Sequence, residues 1–205
     1  KAIRRQRQMC IRDREENMKH IGTQEIKTER LLLRRFKLSD AEDMFNNWAN
    51  DSDVTKYLMW QPHGSIEVTK QILNDWVNSY SDDGCYNWAI VLKEKGEALV
   101  GSISVVSKND EAQSVHIGYC MGKAWWHRGI MTEALTAVIK FFFERVGVNR
   151  VEARHDPRNP HSGGVMKKSG MKYEGTLRQA DKNNSGFCDA SYYGILRSEW
   201  ILNNA

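Results

Sequence analysis

The apolar positions change period along the chain, and each change predicts an element. Glu25–Phe36, with an apolar middle (Leu31–Leu33) and charged flanks, predicts a strand. Ser39-Asp40-Ala41-Glu42 has the spacing of a capping box, with Ser39 as N-cap, and opens a helix to about Asn50. Between Ser65 and Tyr80, Ile66, Val68, Ile72, Leu73, Trp76 and Val77 recur close to a helical period. Tyr86–Lys93 and Ala98–Ser107 read as strands joined by a hairpin turn at Glu94-Lys95-Gly96-Glu97, and Ser114–Met121 reads as a third strand. After Gly129 the stripe Met131, Leu135, Val138, Ile139 and Phe142 is that of a core-facing helix, closed by Gly147. Arg150–Asp156 is a strand, Asn159–Ser169 a short helix ending at Gly170, and Met171–Gln179 and Cys188–Trp200 are final strands. The order β-α-α-β-β-β-α-β-α-β-β predicts an α/β (α+β) fold: one mixed sheet of about seven strands with helices on both faces.

Charge divides this picture. The chain of 205 residues carries a formal charge of +4. Residues 1–24 hold seven cations against three acids, so the remainder is formally neutral. A neutral body lacks the cations that give nonspecific affinity for phosphate backbones, so nucleic acid is not an expected partner. Residues 1–20 read as a basic extension and 21–205 as a single domain. Met18 stands where a native chain would begin, and residues 1–17 read as translated upstream sequence; the rival reading is a basic arm that touches RNA. No apolar run approaches the ~20 residues that span a bilayer, and no signal-peptide core is visible at the start. Cys10, Cys85, Cys120 and Cys188 are scattered. They form no zinc or disulfide framework, and with His155 and His161 lacking ligand spacing, no metal is expected. The location this fits is cytoplasmic. Asp40, Glu42, Asp43, Asp51 and Asp53 read as a solvated helix face able to draw a cation.

The stretch from Gly118 to Leu135 carries the candidate chemistry. A strand gives way to Trp125-Trp126-His127-Arg128, and a helix opens after Gly129. The first turn of a helix offers unpaired N–H groups and the positive end of the dipole, which suits phosphate. The same residues also fit an ordinary amphipathic helix with the tryptophan pair in the core.

Four segments, taken in order, resemble the GNAT N-acetyltransferase superfamily: Ile26–Phe36, Ile117–Leu135, Arg150–Arg178 and Asp189–Trp200. The branch they are most similar to includes the ribosomal-protein N-terminal alanine and serine acetyltransferases. The resemblance covers roughly residues 21–200. It implies acetyl-CoA as co-substrate, an amine acceptor and, as is frequent among such enzymes, a homodimer. In that family a glycine-rich turn, commonly Gln/Arg-x-x-Gly-x-Gly/Ala, holds the pyrophosphate. Here it reads Trp126-His127-Arg128-Gly129-Ile130-Met131, followed by Thr132. Gly129 alone keeps the hallmark, although backbone N–H groups carry most such binding. His127 and Arg128 can add charge, and a Cβ at Gly129 would crowd the diphosphate.

The resemblance further implies that Ile117, Gly118, Tyr119 and Cys120 lie along the pantetheine arm, with an N–H near Tyr119 or Cys120 polarising the acetyl carbonyl. Asn159 is the expected pantetheine partner. Many members carry an acidic Tyr seven residues after that Asn, where this chain has Met166. Ser162, at Asn+3, is then the expected donor to the thiolate; it also fits an N-cap of the short helix. For the base, Asp181 matches a carboxylate position of that branch. His116 lies on the central strand, with a pKa range suited to the task. Trp48, Tyr57 and Trp60 are candidates for the acceptor wall, with core packing expected for at least one. Cys120 keeps a ping-pong route open, but direct transfer is the expectation. The open alternatives are a polyamine, drug or amino-acid acceptor, and a non-catalytic acyl-CoA-binding domain.

Overall fold

The segment Glu25–Phe36 folds back on itself instead of running as one strand. In the computed structural model, which describes residues 18–94, 96 and 98–204, it forms β1 (Ile26–Lys27) and β2 (Leu31–Arg34). The cause is a side-chain knot at the turn. Thr28 N donates to Leu31 O at 3.0 Å, Leu31 N donates to Thr28 Oγ1 at 2.9 Å, and the Thr28 hydroxyl donates onward to Glu133 Oε1 at 2.6 Å. Residues 1–17, with the reading of Met18 as the start, lie outside the described residues, as do Lys95 and Glu97 of the expected hairpin turn.

The remaining strands are β3 (Asn87–Leu92), β4 (Ala98–Asn109), β5 (Ser114–Met121), β6 (Arg150–His155), β7 (Lys172–Asn183) and β8 (Gly186–Leu196). They form one eight-stranded sheet in the order β1-β2-β3-β4-β5-β6-β8-β7. Every neighbouring pair is antiparallel except β5–β6. The expected mixed sheet is therefore present; it is mostly antiparallel and has eight strands instead of about seven.

Helices cover both faces. β3 is buried at every position, and its side chains alternate between two cores. Trp88, Ile90 and Leu92 join a core with the helix α4 (Ile130–Phe141), which extends through a π turn to Val146 and stops at Gly147 in a left-handed conformation. Ala89 and Val91 join the core under α1 (Ala41–Met44), the π turn Phe45–Ala49, α2 (Ser52–Thr55) and α3 (Ile66–Ser79). The helix α5 (Pro160–Lys168) packs beside α4. No helix among the described residues is long and apolar enough to cross a membrane.

Three local expectations are corrected. Ser39 is not an N-cap: the first turn is a 3₁₀ turn, Leu38–Asp40, in which Lys37 N donates to Asp40 Oδ2 at 2.8 Å. Asp40 is buried, not solvated, because Arg34 grips both its oxygens at 2.8 and 2.9 Å. The last strand stops at Leu196, and Arg197–Asn204 form α6, started by Glu199, whose Oε2 accepts from Leu196 N at 3.1 Å. Trp48 is the acceptor-wall candidate that proves to be core: it is fully buried among Phe36, Met44 and Leu99.

Candidate active site

β5 and β6 pair in parallel from Ser114↔Arg150 to Ile117↔Ala153, and then part. β5 runs on to Met121 and β6 to His155, so a wedge opens beyond Ile117. Among the described residues only β4 pairs with β5 along Gly118–Met121, leaving the edge that faces β6 open. Strand alternation gives this wedge two chemically different faces. Val115, Ile117, Val151 and Ala153 point to the core under α4. His116 and Glu152 lie together on the opposite face, where their side chains meet.

On the α4 side, the turn leading to the helix is braced from below. Trp126 Nε1 donates to Met121 O at 2.8 Å. A Cβ on Gly122 would strike Asn47 O at 2.4 Å and the Trp125 ring at 2.7 Å, so the tryptophans fit only over a glycine. His127 (φ 60) and Gly129 (φ 73) both adopt left-handed conformations. That costs a non-glycine residue about 1–2 kcal/mol. Gly129 is the N-cap of α4 and supplies no side-chain cap. Among the described residues none accepts from the N–H groups of Ile130, Met131 or Thr132. The side chains of Ile130 and Met131 are buried in the core, so these residues offer backbone only. A Cβ on Gly129 would meet, among the described residues, only Arg30 Nη2 at 3.6 Å. Arg30 itself was not visible as a site residue in the sequence. It donates to Arg128 O at 3.0 Å and to Glu133 Oε2 at 2.7 Å, tying the turn to the β1–β2 hairpin. His127 and His161, at the starts of α4 and α5, stand edge to face with ring centres 4.6 Å apart.

Asn159 is the N-cap of α5 by position, but its side chain makes no cap bond. Ser162 is not a cap either; it sits in the first turn, with its N–H donating to Asn159 O at 3.2 Å. Its hydroxyl lies 3.1 Å from Tyr119 Oη, and Tyr119 donates to Ser162 O at 3.0 Å. Burial raises the Tyr119 phenol well above its usual range, the Ser162 contact opposing. Met166 is buried in the core. Cys120 points the other way, 3.2 Å from Ser102 Oγ. Burial pushes its thiol up to about 11, against the Ser102 hydrogen bonds, so little thiolate is available for a ping-pong step.

The opposite face gathers both base candidates. His116 Nδ1 is 3.3 Å from Glu152 Oε1, and its ring meets Tyr192 edge on. Burial lowers the pKa of His116, with the Glu152 hydrogen bond opposing. Asp181 Oδ2 accepts from Arg154 Nε at 2.6 Å, and its Oδ1 accepts from Lys182 N at 3.0 Å. Beyond β6, Asp156 is buried and was not anticipated from the sequence. Its carboxylate accepts from Arg158 N at 2.8 Å, from Arg158 Nη2 at 2.6 Å and from Asn183 Nδ2 at 2.8 Å. Next along the β7–β8 turn, Asn184 Nδ2 donates to Thr55 O at 2.9 Å and to Trp60 O at 2.7 Å. The turn thus closes over the segment bearing Tyr57 and Trp60, both half-buried.

Asp156 makes a prediction about stability. Burial alone would raise its pKa, but the bonds from Arg158 and Asn183 outweigh it and hold the carboxyl down at about 2. A depressed carboxyl pKa stabilises the fold above the unfolded pKa and loses that stabilisation as pH falls through the folded value. Asp156→Asn is expected to cost about 2 kcal/mol at pH 7. It should also flatten the loss of stability between about pH 5 and 2. Urea unfolding across that range checks both.

These features coincide with a known family. The model of the Acetyltransferase (GNAT) domain matches residues 30–172. The uncharacterized N-acetyltransferase YnaD of Bacillus subtilis strain 168 is 30% identical over 175 residues, covering 85% of this chain and 98% of YnaD. The [ribosomal protein uS5]-alanine N-acetyltransferase of Escherichia coli K12 is 35% identical over 60 residues, 29% of this chain and 31% of that enzyme. The crystal structure of a GNAT-family acetyltransferase from Bacillus anthracis superposes with a TM-score of 0.74 at 30% identity, over 85% of this chain and 99% of that one. The chain belongs to the GNAT acetyltransferases, acetyl-CoA-dependent enzymes that acylate amines.

The residues present fit that co-substrate. Two left-handed residues and three free amide N–H groups at the start of α4 make a cradle for an anion. The open edge of β5 offers backbone partners to an amide-bearing arm. Among the described residues no group of three or more His, Cys, Asp or Glu side chains could hold a metal ion.

Proposed function

We propose that this chain is a cytoplasmic enzyme that acetylates a protein N-terminal α-amine by direct attack in a ternary complex. One observation carries the reading. The parted strands place a hydroxyl pair, Ser162 and Tyr119, on one face of the wedge and a neutral imidazole, His116, on the other. Transfer needs both: a proton leaves the amine as its nitrogen bonds the acetyl carbon, and a proton reaches sulfur as the C–S bond breaks.

Acetyl-CoA supplies the activated acyl group, and the chain does the rest. The N–H groups after Gly129 hold its diphosphate, with His127 and Arg128 adding charge. The open edge of Gly118–Cys120, with the Asn159 side chain, orients the arm. His116 takes the amine proton and Ser162 protonates the thiolate. Asp181 belongs to the same cluster, but both its oxygens are engaged by Arg154 and Lys182, which leaves His116 the freer acceptor. Tyr57 and Trp60 wall the acceptor side.

Charge and reactivity support an α-amine over a polyamine. Arg154 and Arg158 are each paired with a carboxylate, Asp181 and Asp156, so this cluster offers no unpaired acid to anchor a polycation. An α-amine, with pKa about 7.7–8.0, is substantially neutral near pH 7.5, whereas a Lys-type amine at about 10.4 is not. The local similarity to the uS5-alanine enzyme points the same way. The test is free-thiol release from acetyl-CoA with peptides beginning Ser or Ala, set against a polyamine and an aminoglycoside. Peptide turnover exceeding both by at least about tenfold in kcat/KM is expected. Preferential turnover of a small-molecule amine overturns the acceptor assignment, and binding of acetyl-CoA without turnover of any amine overturns the enzyme reading.

A further inference from the structure

The sheet face that carries His116 also carries a chain of alternating charges leading away from it. Glu152 presents one oxygen to His116 Nδ1 at 3.3 Å and the other to Arg150 Nε at 2.8 Å. Arg150 then meets Glu174 on β7, its Nη1 donating to Oε1 at 2.7 Å and its Nη2 to Oε2 at 2.5 Å. Room for that crossing comes from Gly194 on β8, where a Cβ would lie 2.5 Å from Arg150 Nη1 and 2.6 Å from Glu174 Oε1. Glu174 is thereby tied through Arg150 to a carboxylate that touches a buried imidazole.

We propose that Glu152 is the positioning residue for His116: held by the Arg150–Glu174 pair, it accepts from Nδ1–H, fixes that tautomer and leaves the Nε2 lone pair for the acceptor amine. The inference rests on the reading of His116 as base. A ring nitrogen's protonation is set by the bond its partner nitrogen makes. A carboxylate can only accept, so Nδ1 must carry the proton. Glu152 cannot swing away without abandoning Arg150, whose guanidinium is in turn fixed by Glu174 through paired bonds. The other groups facing the imidazole are Arg154 and Asp181, which pair with each other, and the Tyr192 ring.

Nitrogen-15 NMR of the histidine side chains reads the tautomer directly, with the His116 resonances assigned by their loss in His116→Gln. In the wild-type protein the expected state is a neutral ring protonated at Nδ1, a measurement that needs no variant and no substrate. In Glu152→Ala the expected result is a mixture of tautomers and a kcat about 10- to 100-fold lower, with KM for acetyl-CoA unchanged. A wild-type ring protonated at Nε2 overturns the proposal, as does an unchanged tautomer in Glu152→Ala. Wild-type kcat in His116→Gln is a different failure: it removes His116 as base, whatever the tautomer.

Discussion

Gly129→Val is expected to lower kcat/KM for acetyl-CoA by at least about 100-fold while the protein remains folded. The effect has two sources. Gly129 sits at φ 73, a conformation that costs a residue with a Cβ about 1–2 kcal/mol, and a β-branched side chain at the upper end of that range. The chain relieves the strain by rotating the turn, which moves the free N–H groups of Ile130–Thr132 off a common target. On the proposed reading the added side chain would also crowd the diphosphate; among the described residues its Cβ would lie 3.6 Å from Arg30 Nη2. Losing two or three charge-assisted hydrogen bonds of about 1.5–3 kcal/mol each exceeds the 100-fold estimate. Gly147→Ala is the matched control. Gly147 is also left-handed, at φ 82, with no atom of the described residues within 4 Å of its added Cβ. It closes the far end of the same helix, so this substitution should lower Tm and leave KM for acetyl-CoA unchanged. Equal kinetic losses in both variants would assign the Gly129 effect to folding.

The second large effect is expected at Ser162. Replacing a general acid costs between about 10² and 10⁴ in rate. A thiolate is a far better leaving group than an alkoxide or an amide and departs without full protonation, so Ser162→Ala should fall near the lower limit, about 100-fold in kcat. KM for acetyl-CoA should barely move, because Ser162 reacts with sulfur only as the C–S bond breaks. Tyr119→Phe removes the hydroxyl that contacts both Ser162 O and Oγ and should cost less, about tenfold, since the acid is then misoriented but present. A Tyr119→Phe loss larger than that of Ser162→Ala would transfer the acid role to Tyr119. Single-turnover kinetics with a saturating acceptor peptide separates these outcomes from product release.

Much of this arrangement was legible in the residues. β5 has the bounds that its composition predicted, Ser114–Met121, and α4 begins after the glycine that punctuates its apolar stripe. Period and punctuation are local properties, and they survive folding where no distant side chain competes. The exceptions are instructive for that reason. Glu25–Phe36 was read as one strand because the partner that bends it, Glu133, lies more than a hundred residues away. Ser39 lost the cap to Asp40 because Arg34 draws that carboxylate inward. The site divides in the same way. Gly129 and His127 lie in a turn that the sequence punctuates, whereas Ser162 is reached only through the resemblance to the family. Arg30, Glu152 and Asp156 owe their places to distant partners, Glu133, His116 and Asn183; the arginines two positions from Glu152 and Asp156 mark ion pairs and not those partners. Trp48 shows the converse: an aromatic near a predicted pocket is taken by the core, where its indole N–H finds no partner among the described residues.

The most direct test of the phosphate cradle and the wedge behind it is calorimetric titration of the wild-type protein with CoA and, separately, with pantetheine, which shares the arm and lacks the diphosphate. CoA should bind with micromolar affinity and pantetheine, which also lacks the phosphoadenosine, at least about 100-fold more weakly; Gly129→Val should erase most of that difference, which assigns it to the N–H groups that follow Gly129. No detectable association with CoA, or equal affinities for the two, would contradict it.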